Sequence, residues 1–284
     1  MASGAVGTVT RGTTNTNRLR RVDRWIAAQP ALRRTACPVV VDLGYGASGV
    51  TALELQQRLA KVRRDVEVVG LEIEPGRVRT AEEQLAAVRA GRTGFDPEAR
   101  IRFALGGFEV PLPGGRGAAV IRAFNVLRQY REVEVADAWA RMRARLQPGG
   151  LLVEGTCDEI GRISSWVALG PEGPRTLTVS LRLRDLDAPS VVAERLPKAL
   201  IHRNVPGERV HGFLSELDRL WRIHSPLAAY GPSQRWIAVA QGMRDSGWPV
   251  VGGRTRWRLG ELTVAWPAVA PASPASPASP AIDS

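Results

Sequence analysis

Lysine is almost missing from this chain. Of 39 basic residues only Lys61 and Lys198 are lysines, and the rest are arginines. So uniform a skew arises from coding bias as readily as from function, and the net charge of +11 does not by itself make a nucleic-acid binder. Cysteine and histidine are also scarce. Cys37, Cys157 and three histidines show no metal-ligand spacing, so no metal site is expected. A disulfide is not expected either. The two cysteines flank opposite ends of strands in one parallel sheet, on the order of 20 Å apart at about 3.3 Å per residue. No apolar run reaches the roughly eighteen residues of a membrane span, and the polar N-terminus lacks a signal-peptide core. These absences predict a cytoplasmic location and no membrane partner.

What is present suits a globular fold: 284 residues, 44% hydrophobic and 24% charged. The excess positive charge is concentrated at the start, where residues 1–37 carry seven arginines against Asp23. Such an arm either meets phosphates or an acidic partner, or lies solvated. The organisation expected is a basic arm at 1–17, one domain at 18–266, and a disordered Pro-Ala-Ser tail at 267–284 that buries nothing.

The organising stretch is VVVDLGYGASG at 39–49, a buried strand, a glycine turn and a helix start. Strands at 38–43, 66–74, 101–105, 118–124 and 151–156 alternate with helical patterns at 50–63, from Pro75, and before Leu146. The helix at 50–63 would bury Ala52, Leu55, Leu59 and Val62. This alternation predicts an α/β fold, a doubly wound and mostly parallel sheet, with its ligand site beyond the carboxyl ends of the strands. Residues 44–49, Glu72, 106–109, 125–130 and 157–162 should converge there. Further on, 175–184 alternates as a strand, 190–247 is mainly helical, and 256–266 reads as a last strand.

A pyrophosphate at the glycine turn would meet the carboxylate of Asp42, two residues before Gly44, and like charges disfavour that. A cationic ligand would welcome it, and S-adenosylmethionine carries an ammonium, a sulfonium and no phosphate. Glu72, closing the second strand, is placed to accept from both hydroxyls of a ribose. It stands 28 residues past Gly44, where a dinucleotide fingerprint expects about 20.

With these residues in place, the chain resembles the class I S-adenosylmethionine-dependent methyltransferases. VDLGYGASG resembles the first motif of that family, VVGLEIEPGRV the second, and RMRARLQPGGLLVEGT the segment opening the fifth strand. The likeness spans roughly 38–160. It implies a seven-stranded sheet with the last strand antiparallel, so that 175–184 and 256–266 are the sixth and seventh strands. A helical lid or insertion would occupy about 187–250. The implied cofactor is S-adenosyl-L-methionine, held by Asp42, Gly44, Tyr45, Gly46, Glu72, Ile73, Gly107, Phe108 and Asn125. Two departures stand out. Gly106-Gly107-Phe108 replaces the usual Gly-Asp pair, so Phe108 or backbone groups would meet the adenine. AFNVL at 123–127 replaces the Pro-Pro-aromatic motif of many N-methyltransferases, which disfavours a DNA-base methylase.

Methyl transfer from a sulfonium needs alignment more than a triad. Where a hydroxyl must lose a proton, Asn125, Tyr130 and Glu159, with Asp158, lie on the loops that should face the methyl group. Each such residue is also a common turn or cap residue, and His202 and His211 read as surface or structural. Thr14, Asn15, Asn17 and Arg18 in the arm are candidates to contact cofactor or substrate. Three functions fit: methyl transfer to a small molecule, favoured; an RNA methyltransferase, for which the basic arm is the only argument; and a non-catalytic binding protein on the same fold. Neither the acceptor nor the oligomeric state is written in the sequence.

Overall fold

Three β-branched residues in a row fit a strand covered on both faces, and 39–41 form the middle of the sheet. In the computed structural model, which describes residues 5–10, 12 and 14–272, helix α1 (Arg20–Ile26) and the short α2 (Pro30–Arg33) lead into strand β1 (Val39–Leu43), buried at every position. There follow α3 (Val50–Ala60), β2 (Glu67–Glu72), α4 (Pro75–Arg89), β3 (Ile101–Leu105), β4 (Ala118–Phe124), α5 (Val135–Arg143) and β5 (Leu146–Cys157). The five strands run parallel in the order β3-β2-β1-β4-β5. The chain reverses its direction of winding between β1 and β4, which opens a crevice at their carboxyl ends.

Side chains alternate between two apolar layers. Val39, Val41 and Leu43 join one core with Trp139 and Met142 of α5; Val40 joins the other with Val22 and Ile26 of α1 and Leu55 and Leu59 of α3. Helix α3 stops at Ala60, so Val62 is 42% exposed rather than part of the buried stripe.

Beyond β5 the sheet differs from the seven-stranded expectation, because among the described residues it has nine strands. The chain turns straight back into β6 (Ile163–Gly170) and again into β7 (Gly173–Leu181), each antiparallel to the strand before it. Asp158 closes the first turn by accepting from the backbone N–H groups of Arg162 and Ile163, and Gly161 supplies a φ of 68°. The expected sixth strand at 175–184 is therefore β7. The segment at 256–266 divides between α9 (Arg254–Trp257) and β9 (Glu261–Ala265), after the α-helices α6 (Lys198–Ile201), α7 (Arg209–Ile223) and α8 (Pro232–Asp245) and the two-residue β8 (Val250–Val251). β9 pairs with β7, and β8 forms the edge. Strand β6 is buried on both faces between β5 and β7, so it carries no polar–apolar alternation, and its Ser164-Ser165 pair imitates a loop.

The stretch between β7 and β9 packs into the molecule. Val210, Phe213, Leu214, Leu217 and Trp221 of α7, with Trp236, Ile237 and Val239 of α8, share a core with Leu177, Val179 and Leu262. Among the described residues no helix is long and apolar enough to cross a membrane. Most of the Pro-Ala-Ser tail, residues 273–284, lies outside the described residues.

Candidate functional site

A cavity of about 380 Å³ opens at the carboxyl ends of β1 and β4, at the reversal of strand order. Asp42, Gly44, Tyr45, Gly46, Phe124, Asn125 and Glu159 line it from the sheet side, with Thr10, Gly12, Thr14 and Arg18 from the arm. Arg128, Gln129 and Arg195 complete the polar wall. Arg195 is the sole contribution from 187–250, so the helices of that stretch do not form the wall of this cavity.

Asp42 has a partner that its sequence position does not reveal. It lies opposite Arg122 in the β1–β4 register, on the same face of the sheet. Arg122 donates from Nε to Asp42 Oδ1 at 2.9 Å and from Nη2 to Oδ2 at 2.6 Å, and Thr51 Oγ1 adds a bond at 3.1 Å. The other end of the Arg122 guanidinium meets Asp23 of α1, which also pairs with Arg58, itself 3.2 Å from Glu54. Arg122 is wholly buried. Burial works against its charge, but Asp23 and Asp42 outweigh burial and hold its pKa above the ordinary value. The Asp42 carboxylate is thus matched by a cation within the chain, and it also lines the cavity.

Glu72 ends β2 almost fully buried and faces the glycine turn. Its Oε2 accepts from the Gly46 N–H and its Oε1 from the Ile73 N–H, both at 3.0 Å, with Arg77 Nη1 3.7 Å away. Three other turn amides are also committed. Gly44 donates to Leu71 O at 2.8 Å, Ala47 to Gly12 O at 2.9 Å and Gly49 to Gln84 Oε1 at 2.8 Å. Gly44 and Gly46 take φ of 69° and 88°. A Cβ on Gly44 would stand 2.7 Å from the Val126 side chain, so the turn needs glycine there. Tyr45 is buried edge-on to Phe103.

The arm is docked across the cleft. Thr14 Oγ1 donates to Tyr45 O at 3.0 Å, Asn15 Nδ2 to Glu159 O at 3.1 Å, and Arg18 Nε to Asp158 O at 3.0 Å. Asn17, with φ 60°, accepts from Arg58 Nη2 at 2.7 Å. Four residues predicted from the arm therefore meet the cleft loops or the helix behind them. Ahead of them, the Val6 carbonyl accepts from the Phe108 N–H at 2.9 Å, and Arg77 Nη2 donates to Thr10 O at 2.7 Å. The Gly107 N–H is taken by Glu109 Oε1 at 2.8 Å. Residues expected to meet a nucleoside are thus present but covered by the chain itself. Several arginines of the basic segment are engaged internally: Arg20 with Asn17 and Ile160 carbonyls, Arg21 with Leu259 O, Arg24 with Glu261, Arg33 with Ala27 O.

Of the catalytic candidates, Asn125 and Glu159 line the cavity and Tyr130 does not. Asn125 holds the end of β4 to the end of β5: its Oδ1 accepts from the Cys157 N–H at 3.0 Å, and its φ is 60°. The Tyr130 ring stacks at a tilt on Phe108, and its hydroxyl accepts from the Thr8 N–H. His202 pairs with Lys198 and His211 with Asn204, both away from the cavity. Sequence reading missed Arg122, Arg128 and Arg195. A lone arginine in the apolar run AAVIRAF was a signal of a buried acidic partner. Arg128 and Arg195 had none.

No family model matches the sequence, and no curated protein matches it. Solved structures do. An O-methyltransferase from neocarzinostatin biosynthesis is 24% identical over 46% of this chain and 35% of that one, with a TM-score of 0.32. Mitomycin 7-O-methyltransferase is 22% identical over 49% and 36%, with a TM-score of 0.35. A methyltransferase from Streptomyces caelestis is 22% identical over 57% and 68%, again with 0.35. The match spans about a third of the length of the first two. At these scores the likeness carries no conclusion about activity.

Proposed function

We propose that this chain is an S-adenosylmethionine-dependent methyltransferase of the class I type, acting on a small molecule. The observation that carries the reading is the pairing of Glu72 with the glycine turn. Four turn amides, those of Gly44, Gly46, Ala47 and Gly49, are committed to acceptors within the chain, which disfavours a pyrophosphate there, and the carboxylate beside them suits ribose hydroxyls. The residues fit such a nucleoside. The Val6 carbonyl stands in for an acceptor on the Phe108 N–H, where a ring nitrogen of adenine would lie, with Ile73 alongside. When bound, the cofactor supplies an electrophilic methyl group on sulfur. Glu72 would hold the ribose, Gly44–Gly46 would line the cofactor through backbone, and Asn125 would keep the β4 and β5 loops in register beside it.

The acceptor end is cationic. Arg18, Arg128 and Arg195 line the cavity, and among the described residues neither Arg128 nor Arg195 has an ion-pair partner. Burial lowers the pKa of Arg128, and Arg195 and Arg18 add to this. An acceptor carrying a carboxylate or phosphate would relieve that repulsion. The docked arm favours one second reading, a non-catalytic protein whose cleft serves binding alone.

Titration calorimetry with S-adenosylhomocysteine separates the two, followed by transfer of labelled methyl to fractionated extract. We expect binding, label in the small-molecule fraction, and a loss of roughly 1–3 kcal/mol in affinity for Glu72→Gln. Binding without transfer would leave the non-catalytic reading. Label in RNA would replace the small-molecule assignment.

A further inference from the structure

The arm ahead of Gly12 runs through the end of the cleft that the proposed function gives to the nucleoside. The Val6 carbonyl takes the Phe108 N–H, and the Val6 N–H donates to Glu109 Oε2 at 2.8 Å. A Cβ on Gly107 would stand 2.0 Å from Val6 O, so no layer of ligand atoms separates the two. Gly7 sits among Tyr130, Phe108 and Ile73: a Cβ placed on it would be 3.1, 3.8 and 3.9 Å from their side chains. Gln129 Nε2 reaches Thr8 O and Val9 O, and Arg77, close to Glu72, holds Thr10 O.

We infer that residues 6–10 are a displaceable plug, which closes the nucleoside end of the cleft and must leave before the cofactor binds. The inference rests on the proposed function for what belongs in that end. Two physical features make the plug reversible. None of residues 5–10 is fully buried, whereas Leu19 and Val22 anchor the chain at α1, so the arm can leave without opening the core. The grip is made mostly of hydrogen bonds to the arm backbone, which water replaces at small net cost. The plug also has a reason to dock. In its absence the Phe108 N–H would depend on water or ligand for its hydrogen bond. Arm and ligand compete for the same donor, and the apparent affinity falls by the fraction of molecules with the arm withdrawn.

Gly7→Leu in the full chain tests this without touching any residue assigned to the ligand. Gly7 has φ 145°, which L-residues rarely adopt, and a leucine side chain would run into Tyr130. We expect the variant to bind S-adenosylhomocysteine roughly tenfold or more tightly than the wild type by calorimetry. Saturating the wild type with the same ligand should speed hydrogen exchange in residues 5–10. Equal or weaker binding by Gly7→Leu, or slower exchange on ligand binding, would overturn the plug, since the ligand would then lie beneath a closing arm. If neither chain binds, the proposed function fails and the plug falls with it, an outcome distinct from equal binding by both.

Discussion

Glu154 lies in β5 between Ala123 and Val167 in register, with no exposure to solvent and no hydrogen bond to either carboxylate oxygen. Burial pushes its pKa from 4.5 up to about 8, with Trp139 the opposing neighbour. Between those values the folded chain keeps a proton that the unfolded chain releases. The stabilisation contributed by this group is therefore fully present below about pH 4.5 and falls by up to about 1.4 kcal/mol per pH unit until the folded chain also ionises near pH 8. From about pH 5 to about pH 7.5 the loss from this one group reaches about 3 kcal/mol, a large part of the stability of an ordinary domain. Glu154→Gln keeps the shape and removes the titration. Urea unfolding of both chains across that range should give nearly equal stabilities at the acid end, and a glutamine variant about 3 kcal/mol more stable at the alkaline end, relative to wild type. Other buried acids such as Glu261 titrate alike in both chains and cancel in the difference. A difference that stays constant with pH would refute the reasoning, because the carboxylate would then be solvated or paired in the folded state.

Arg122→Met should destabilise the chain by about 3–5 kcal/mol in the same assay, because it leaves Asp23 and Asp42 buried without the guanidinium between them. A loss under about 1 kcal/mol would mean that water reaches the cluster. Thiol titration of the native chain near neutral pH should find one reactive cysteine: Cys37 is exposed, while Cys157 is buried and burial raises its pKa. The second thiol should react only on unfolding, and prompt reaction of both would contradict the closed β4–β5 end. Arg195→Ala should weaken binding of an anionic acceptor by roughly tenfold while leaving S-adenosylhomocysteine affinity within about twofold. Equal loss for both ligands would place Arg195 at the cofactor instead.

The sequence alone determined the parallel half of the sheet. Strands β1 to β5 are interleaved with α3, α4 and α5, and local periodicity records which side of each helix is buried. It also determined that Gly44, Gly46 and Glu72 meet at one end of that sheet, since all three sit where strands β1 and β2 stop. What Asp42 faces is set by the packing of β1 against β4. Arg122 is 80 residues away and reaches it because β1 and β4 are neighbours in a register that no local pattern encodes. The same holds for β6, hidden by burial on both faces, and for the arm. The Val6 and Thr8 N–H groups donate to the Glu109 and Tyr130 side chains, more than a hundred residues distant, and because the arm uses backbone atoms its own side chains leave no trace of them. Periodicity reports how an element meets an apolar layer; the pairing of charges and backbone groups across a cleft depends on three-dimensional proximity, which only the folded chain supplies.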